Sequence, residues 1–196
     1  MKRIALTGGI ACGKSVLAGF LAECGCDVLE ADALVHALEA PGGAAVTSIV
    51  AAFGPDMRAA DGGIDRCRLG QKVFADEAAR LRLNGIVHPL VKEALTRWLA
   101  TPGNHPKVAV IPLLFEVGWD VGWNVVVCVA CAEAEQMRRL QARGWSEVAA
   151  HARIAAQLPL ADKVWRADCV VWNDGNLDAL RREASRLMDE WAEKIT

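Results

Sequence analysis

The sequence predicts an α/β fold in which a five-stranded parallel sheet is flanked by helices. Two observations carry this prediction. Short apolar runs alternate with segments whose apolar residues recur at helical spacing. The first of these runs passes through a glycine-rich turn directly into a helical pattern. Strands that alternate with helices form parallel sheets, because a helix supplies the crossover that returns the chain to the same edge.

The predicted elements follow from local pattern, taken in chain order. The strands are short runs rich in Val, Ile, Leu and Ala, as expected for strands covered on both faces. Turn residues separate them from the helices, for example Asp61-Gly62-Gly63, and Thr101-Pro102-Gly103-Asn104 before the third strand. The predicted strands are 3–7, 26–30, 107–112, 124–130 and 168–172, and the predicted helices are 13–24, 32–39, 43–53, 76–100, 132–143, 146–157 and 176–193.

Two connections are longer than a simple crossover needs. The stretch between the second and third strands is helical throughout and contains no strand pattern. The stretch between the fourth and fifth strands is rich in Arg and Gln. We therefore expect a single domain over 1–196, with an inserted helical subdomain at 33–104 and a mobile lid at 139–163.

Composition excludes several classes of protein. The chain has 196 residues, a net charge of −2 and a 53% share of hydrophobic residues, so it is not a disordered chain and not a general nucleic-acid binder. No apolar run approaches the ~18 residues of a membrane span, and the apolar piece after Lys2-Arg3 is too short for a signal peptide. We expect a cytoplasmic protein with no membrane or nucleic-acid partner, either a monomer or a weak oligomer.

Seven cysteines, an odd number without an export signal, predict free thiols. Cys128 and Cys131 form a CxxC pair at the end of an apolar run. Two core cysteines are the preferred interpretation, and zinc binding or redox chemistry are the alternatives.

The segment from Gly8 to Ser15, GGIACGKS, matches the phosphate-loop motif G-x-x-x-x-G-K-[ST] in full. It follows a predicted strand and opens a predicted helix, which is the context that the motif requires. Glycines allow backbone N–H groups to converge on phosphate oxygens, and the helix N-terminus adds positive potential. Lys14 can reach the β- and γ-phosphates, and the Ser15 hydroxyl can bind Mg²⁺. The nucleotide-binding residues predicted here are Gly9, Ile10, Ala11, Cys12, Gly13, Lys14, Ser15 and Val16.

Absence of an N-K-x-D guanine motif argues against a GTPase. Two classes remain from the residues alone: a P-loop kinase of a small molecule, for example of a nucleoside, shikimate or gluconate, and an ATP-dependent switch that binds a partner and transfers no phosphate.

Seven stretches along the chain, in order and spacing, resemble the dephospho-coenzyme A kinases. They are LTGGIACGKS, VLEADALVHAL, DGGIDRCRLGQKVF, IVHPLV, IPLLFE, EQMRRLQAR and ADCVVWNDG. The resemblance implies a nucleoside-monophosphate-kinase-like P-loop sheet with a helical CoA-binding subdomain and a lid. It implies that ATP, with Mg²⁺, phosphorylates the ribose 3′-hydroxyl of dephospho-CoA in the last step of CoA synthesis.

Asp32 matches the family's proposed catalytic base. It follows a predicted strand at the carboxyl edge of the sheet, where ligands of such sheets bind. Its position also suits an N-cap for the helix over 33–38, and both roles can coexist. The chain departs from the family pattern at Glu30, where Asp is usual, and at Val16, where Thr is usual.

Arg139 and Arg143 lie four residues apart and so share one helix face. The resemblance implies that lid arginines meet the ATP phosphates, with Arg139 counted among the catalytic residues. A solvated helix face is the alternative.

The remaining predicted site residues come from the resemblance and from position. Arg66 and His88 lie in the predicted helical insertion, and the proline after His88 predicts a bend or break there. Leu113 and Glu116 follow the third strand. Arg66, His88, Leu113 and Glu116, with Asp32, are assigned to substrate binding, and Asn173 and Gly175 to the adenine side of the nucleotide site.

Overall fold

A five-stranded parallel sheet organises the chain, whose computed structural model describes residues 2–193. The strand order is β2-β3-β1-β4-β5, and every pairing is parallel. This confirms the predicted fold class. The strands are β1 (Arg3–Gly8), β2 (Asp27–Glu30), β3 (Lys107–Val110), β4 (Val125–Ala130) and β5 (Cys169–Trp172).

Nine α-helices are assigned within the described residues, together with one 3₁₀ helix at Pro55–Met57. The α-helices are α1 (Lys14–Glu23), α2 (Ala31–Glu39), α3 (Val46–Phe53), α4 (Arg66–Ala75), α5 (Glu77–Ala100), α6 (Glu133–Ala142), α7 (Glu147–Ala155), α8 (Leu160–Arg166) and α9 (Leu177–Glu193).

The chain divides into two compact units. Among the described residues, the first comprises 2–30 with 103–193, and the second is Ala31–Pro102. The sequence predicted one domain over 1–196 with an insertion at 33–104, so the second unit occupies the predicted insertion. Its role in binding CoA stays a prediction.

In the first unit, β1 lies at the centre of the sheet and is covered on both faces. Ile4 pairs with Val108 of β3 and with Val125 of β4. Leu17 of α1 and Leu187 of α9 are fully buried in the same apolar core. Burial on both faces explains why these strands are continuous apolar runs rather than alternating ones. Parallel strands also bring the carboxyl ends of β1, β3, β4 and β5 to one edge.

The second unit is helical, and α5 is its longest element. This helix packs against α2, α3 and α4, and Asp76 caps it by accepting hydrogen bonds from the N–H groups of Ala78 and Ala79. The sequence predicted a bend or a break at His88-Pro89, and the break is wrong, because α5 continues through Pro89. Val87 and Val91 on either side of Pro89 are buried. Tertiary packing of this face outweighs the local cost of the proline.

Two helices are absent from the sequence prediction, α4 and α8. Helix α4 begins after an Asp65 cap whose side chain accepts from the Arg68 N–H. Helix α8 follows Pro159. Both are short and polar, so neither shows a clear apolar period. Strand β3 ends at Val110 rather than at 112, since Pro112 has no N–H to offer a ladder.

No helix among residues 2–193 is both long enough and apolar enough to cross a membrane.

Candidate active site

The loop between β1 and α1 contains three residues with positive φ, a conformation that glycine adopts more readily than other residues. Gly8 and Gly13 have φ of 140° and 103°, and Ala11 has φ of 59°. A Cβ on Gly8 would lie 2.0 Å from the Val129 carbonyl oxygen. Gly13 is the residue that precedes the first turn of α1. The loop therefore delivers the chain to a helix N-terminus in the form expected of a phosphate loop.

Lys14 turns its ammonium group back over this loop. Its Nζ donates to the carbonyl oxygens of Gly9 at 2.8 Å and Gly8 at 3.1 Å. Ser15 follows in the first turn of α1 and is exposed. A cation and a hydroxyl thus stand at the same helix N-terminus.

Side chains from α6, β5 and the end of α7 hold the outer side of the loop. Gln136 Nε2 donates to the Ile10 carbonyl at 2.8 Å, and Gln157 Oε1 accepts from the Ile10 N–H at 3.1 Å. Asn173 Nδ2 donates to the Cys12 carbonyl at 2.8 Å. A Cβ on Gly13 would lie 2.2 Å from that Nδ2. The loop backbone is therefore hydrogen-bonded to side chains from neighbouring segments of the chain.

Arg139 is part of this support. Its NH1 donates to the carbonyls of Ala11 at 3.2 Å and Cys12 at 3.3 Å, and its NH2 donates to the Asn173 carbonyl at 2.7 Å. Its Nε pairs with Glu135 at 2.7 Å. Arg143 lies exposed at the end of α6. Of the two predicted arginines, the structure brings Arg139 directly to the phosphate loop.

Cys12 and Cys131 form a buried pair of thiols behind the loop, with sulfur atoms 3.5 Å apart. The Cys131 S–H donates to Cys12, which lowers the pKa of Cys12 to about 7 against the opposing effect of burial, with Lys14 nearby adding to the lowering. The same contact and burial raise the pKa of Cys131. Burial raises the pKa of Cys128 to about 11. Both members of the CxxC therefore lie in the core.

The zinc alternative finds no support, because no group of three His, Cys, Asp or Glu side chains among residues 2–193 could hold a metal ion.

Glu116 occupies the segment after β3, and it is paired with a cation that the sequence did not point to. Lys163 Nζ lies 2.6 Å from Glu116 Oε1, and the Lys163 side chain has no exposed surface. The same Nζ donates to the Pro112 carbonyl at 3.0 Å, and the Leu158 N–H donates to Glu116 at 2.9 Å. Leu113, beside Pro112, is 42% exposed.

At the end of β5, Asn173 is buried, and Gly175 follows it. Asp174 Oδ1 accepts from the Ala132 N–H at 2.7 Å, which ties this segment to the start of α6.

Three predicted site residues belong to the second unit. Asp32 is exposed and is the second residue of α2, so the predicted N-cap role is wrong: the helix begins at Ala31. Arg66 Nε pairs with the buried Glu39 at 3.2 Å. Burial raises the pKa of Glu39, although Arg66 partly offsets the effect. His88 lies half-buried in α5, and burial lowers its pKa.

A cavity of about 410 Å³ in the second unit is lined by Glu39, Pro41, Asp61, Ile64 and Arg66, among others.

Comparison with known proteins decides the family. The sequence profile of the dephospho-CoA kinase family matches residues 2–179. A dephospho-CoA kinase of Geobacillus kaustophilus is 43% identical over 196 residues, covering 96% of each chain. The chain belongs to the dephospho-CoA kinase family. It is therefore a P-loop kinase of CoA biosynthesis that uses ATP, and the resemblance seen in the sequence is confirmed.

Solved structures share the fold of this chain. A protein of Thermus thermophilus with 34% identity superposes with a TM-score of 0.83, covering 96% of this chain and 97% of its own. A shikimate kinase from Acinetobacter baumannii, 14% identical, reaches a TM-score of 0.60 over 99% of this chain and 94% of its own. The latter likeness concerns the fold alone.

Sequence reasoning missed several residues that shape the site of this kinase. Gln136, Gln157 and Lys163 carry no motif that distinguishes them from surface residues, and each becomes significant only through a distant partner. Asn173 was assigned to the nucleotide mainly through its backbone, yet its side chain holds the loop. Burial of a polar side chain marks Gln136, Lys163 and Asn173, and this signal exists only in the folded chain.

Proposed function

We propose that this kinase transfers the γ-phosphoryl group of ATP to the ribose 3′-hydroxyl of dephospho-CoA, giving CoA and ADP. The observation that carries the proposal is the phosphate loop, which closes around Lys14 at the N-terminus of α1 in a chain of this family.

The loop and Lys14 are proposed to bind the β- and γ-phosphates. The Cys12 carbonyl is held outward by Asn173 and Arg139. Because the C=O and N–H of one trans peptide point in opposite directions, the Gly13 N–H is turned to the other side. Lys14 would exchange its two carbonyl partners for phosphate oxygens. Its positive charge would then lie beside the negative charge that develops during phosphoryl transfer.

Ser15 is the proposed protein ligand of Mg²⁺. Its hydroxyl is exposed beside Lys14, which fits the hydroxyl position of the motif. Bound Mg²⁺ would neutralise charge on the phosphate oxygens. Val16 follows Ser15 and has no hydroxyl to share this role.

Arg139 and Arg143 are proposed to place positive charge against the ATP phosphates. Arg139 reaches the loop, where it donates to the carbonyls of Ala11 and Cys12. These carbonyls point away from the loop N–H groups, so the proposal requires the guanidinium to exchange them for phosphate oxygens when ATP binds. Arg143 lies one turn further along α6 and is exposed. We further propose that residues 139–163 act as a lid, and that Asn173 and Gly175 line the adenine side.

Asp32 is proposed as the base that accepts the 3′-hydroxyl proton. Support comes from its position two residues after β2, since ligands of parallel sheets bind beyond the carboxyl ends of strands. Its carboxylate is exposed and is not committed to capping α2. Glu30 is the last residue of β2 and offers a second carboxylate there.

Arg66, His88, Leu113 and Glu116 are proposed to contact dephospho-CoA. Arg66 carries a partly exposed guanidinium suited to a pyrophosphate, and Glu39 already orients it. The second unit, predicted at 33–104, is accordingly proposed as the CoA-binding part of the chain.

ADP release from ATP tests the proposed reaction, with dephospho-CoA, adenosine, shikimate or no acceptor added. We expect release only with dephospho-CoA. Lys14→Ala should lower kcat about 10²–10³-fold, the usual loss for one electrostatic contact to a transition state. Lys92→Ala, an exposed lysine of α5, is the matched control. Near-parental turnover of folded Lys14→Ala protein would contradict the loop assignment.

Asp32→Asn tests the base separately. It keeps the size of the side chain and leaves the phosphate loop intact, so ATP binding should survive while kcat falls about 10²–10⁴-fold. Asp178→Asn changes an acidic residue in the first turn of another helix and serves as the control. Turnover within about tenfold of the parent, a smaller loss than general-base catalysis predicts, would move the base elsewhere, with Glu30 as the next candidate.

A further inference from the structure

Two glutamine side chains bind the same residue of the phosphate loop, one through its backbone carbonyl and the other through its backbone N–H. Gln136 of α6, only 3% exposed, donates Nε2 to the Ile10 carbonyl at 2.8 Å. Gln157, just after α7, accepts the Ile10 N–H with Oε1 at 3.1 Å. A Cβ on Gly9 would lie 2.6 Å from Gln136 Nε2, so the loop and the amide are closely packed.

The backbone partners dictate which amide atom each glutamine must present. An N–H accepts nothing, so only an oxygen can face it at position 157. A C=O donates nothing, so only an N–H can face it at position 136. The two side chains are identical, but Gln157 must accept a hydrogen bond and Gln136 must donate one. Substitutions that keep only the acceptor therefore distinguish their roles.

Each hydrogen bond to Ile10 also orients the other polar group of the same peptide, and that group points to the opposite side. The Ile10 N–H shares its peptide with the Gly9 carbonyl, which accepts from Lys14 Nζ at 2.8 Å. Gln157 therefore orients the carbonyl that holds Lys14 at the loop before ATP binds. The Ile10 carbonyl shares its peptide with the Ala11 N–H, so a bond from Gln136 turns that N–H to the opposite side.

The loop needs this support at this point. Ala11 has φ of 59°, a left-handed conformation that costs free energy for a residue with a side chain. Such a conformation persists only where surrounding contacts fix it. The bonds on both sides of Ile10 fix the two peptides that lead into Ala11.

Gln157 is itself anchored within the proposed lid, two residues after the end of α7. Its N–H donates to the Ile154 carbonyl at 3.1 Å, and the next N–H, of Leu158, donates to Glu116 at 2.9 Å. Ile154 packs in one apolar cluster with Ile10 and Ala11. The end of α7 and the phosphate loop therefore form one connected structure.

We propose that Gln136 and Gln157 are positioning residues for phosphoryl transfer: by binding the Ile10 carbonyl and N–H, they set the orientations of the two peptides that flank Ile10, and so the direction of the loop amides that meet ATP. The Gly9 carbonyl, set in the same way, holds Lys14 at the loop until phosphate oxygens replace it. This rests on the proposed role of the loop in binding ATP phosphates. Neither glutamine touches the reacting atoms. Their effect is on the geometry of the groups that do, where a small misplacement is costly in rate.

The test compares Met and Glu at both positions by steady-state kinetics. Met keeps the volume of Gln and removes its hydrogen bond, so Gln136→Met and Gln157→Met should each lower kcat/KM for ATP about tenfold. Glu keeps an acceptor oxygen. Gln157→Glu should therefore recover much of the rate that Gln157→Met loses, whereas Gln136→Glu should fall below Gln136→Met because its carboxylate faces a carbonyl.

Both Glu variants add one negative charge beside the same loop residue, so repulsion of ATP is common to them and their difference reports the hydrogen bond. Activity of Gln136→Glu should rise relative to the parent as pH falls, since a protonated carboxyl can donate to the Ile10 carbonyl. Ser185→Met and Ser185→Glu, at an exposed site on α9 outside the proposed lid, are controls expected to match the parent.

Thermal melts accompany every assay. A lowered melting temperature with unchanged kcat/KM in the Met variants would show a merely structural role and overturn the proposal, as would equal activity of the two Glu variants. If Gln136→Glu does not fold, the two Met variants decide alone. Loss of activity in Lys14→Ala with parental rates in both Met variants would overturn this inference and leave the proposed function standing.

Discussion

Removing the charge of Glu116 should destabilise this kinase through the lysine that it leaves behind. Lys163 has no exposed side-chain surface, and Glu116 is its only ion-pair partner within the described residues. In Glu116→Gln the amide oxygen can still accept from Lys163 and from the Leu158 N–H. The Pro112 carbonyl remains as a second acceptor for the ammonium. The charge itself, however, is left uncompensated.

The magnitude follows from burial. Breaking a buried ion pair by removing one partner costs about 3–5 kcal/mol, and the hydrogen bonds that Gln retains favour the lower end. For a chain of this size, about 3 kcal/mol corresponds to a fall of roughly 6–12 °C in melting temperature. Adding Lys163→Met removes the stranded charge, and the Pro112 carbonyl still accepts from the Thr7 hydroxyl at 3.3 Å. The double variant should therefore be more stable than Glu116→Gln alone.

Differential scanning calorimetry of the parent, both single variants and the double variant measures this coupling. We expect the double variant to regain at least half of the loss. Asp120→Asn is the control, because its partner Arg166 is 36% exposed and such pairs contribute about 1 kcal/mol or less. A double variant that melts at or below Glu116→Gln would refute the argument that a stranded buried charge causes the loss.

Three further predictions concern other parts of the chain. Amide hydrogen exchange over 139–157 should slow when ATP and dephospho-CoA bind together, and unchanged exchange would count against a lid. Cys131→Ala should raise the pKa of Cys12 above about 7 by removing its S–H donor, seen as a shift in the pH dependence of Cys12 alkylation followed by peptide mass spectrometry; an unshifted profile would show that the thiol contact is not the cause. The raised pKa of Glu39 means that its contribution to stability is greatest below about 4.5 and is lost as pH rises. Arg66→Met should steepen that loss in melts recorded against pH, while a slope equal to the parent's would contradict it.

The sequence by itself determined the sheet and the phosphate loop. Strand β4 is an uninterrupted apolar run, and β1 contains the apolar run Ile4–Leu6. Burial on both faces leaves a pattern that can be recognised without a structure. The loop was predicted because its requirements are local: glycines at positive φ, then Lys14 and Ser15 at a helix start. The likeness of seven separate stretches to one family added the substrate.

Only the tertiary structure decided how the loop is held. A bend or break was predicted at Pro89, yet packing of the buried face carries α5 through it. An N-cap was the alternative role for Asp32, yet α2 starts one residue earlier. Gln136 and Gln157 meet Ile10 from 126 and 147 residues away along the chain. A hydrogen bond of this kind leaves no trace in local pattern, because its energy depends on burial and on a backbone group that the fold alone brings within reach.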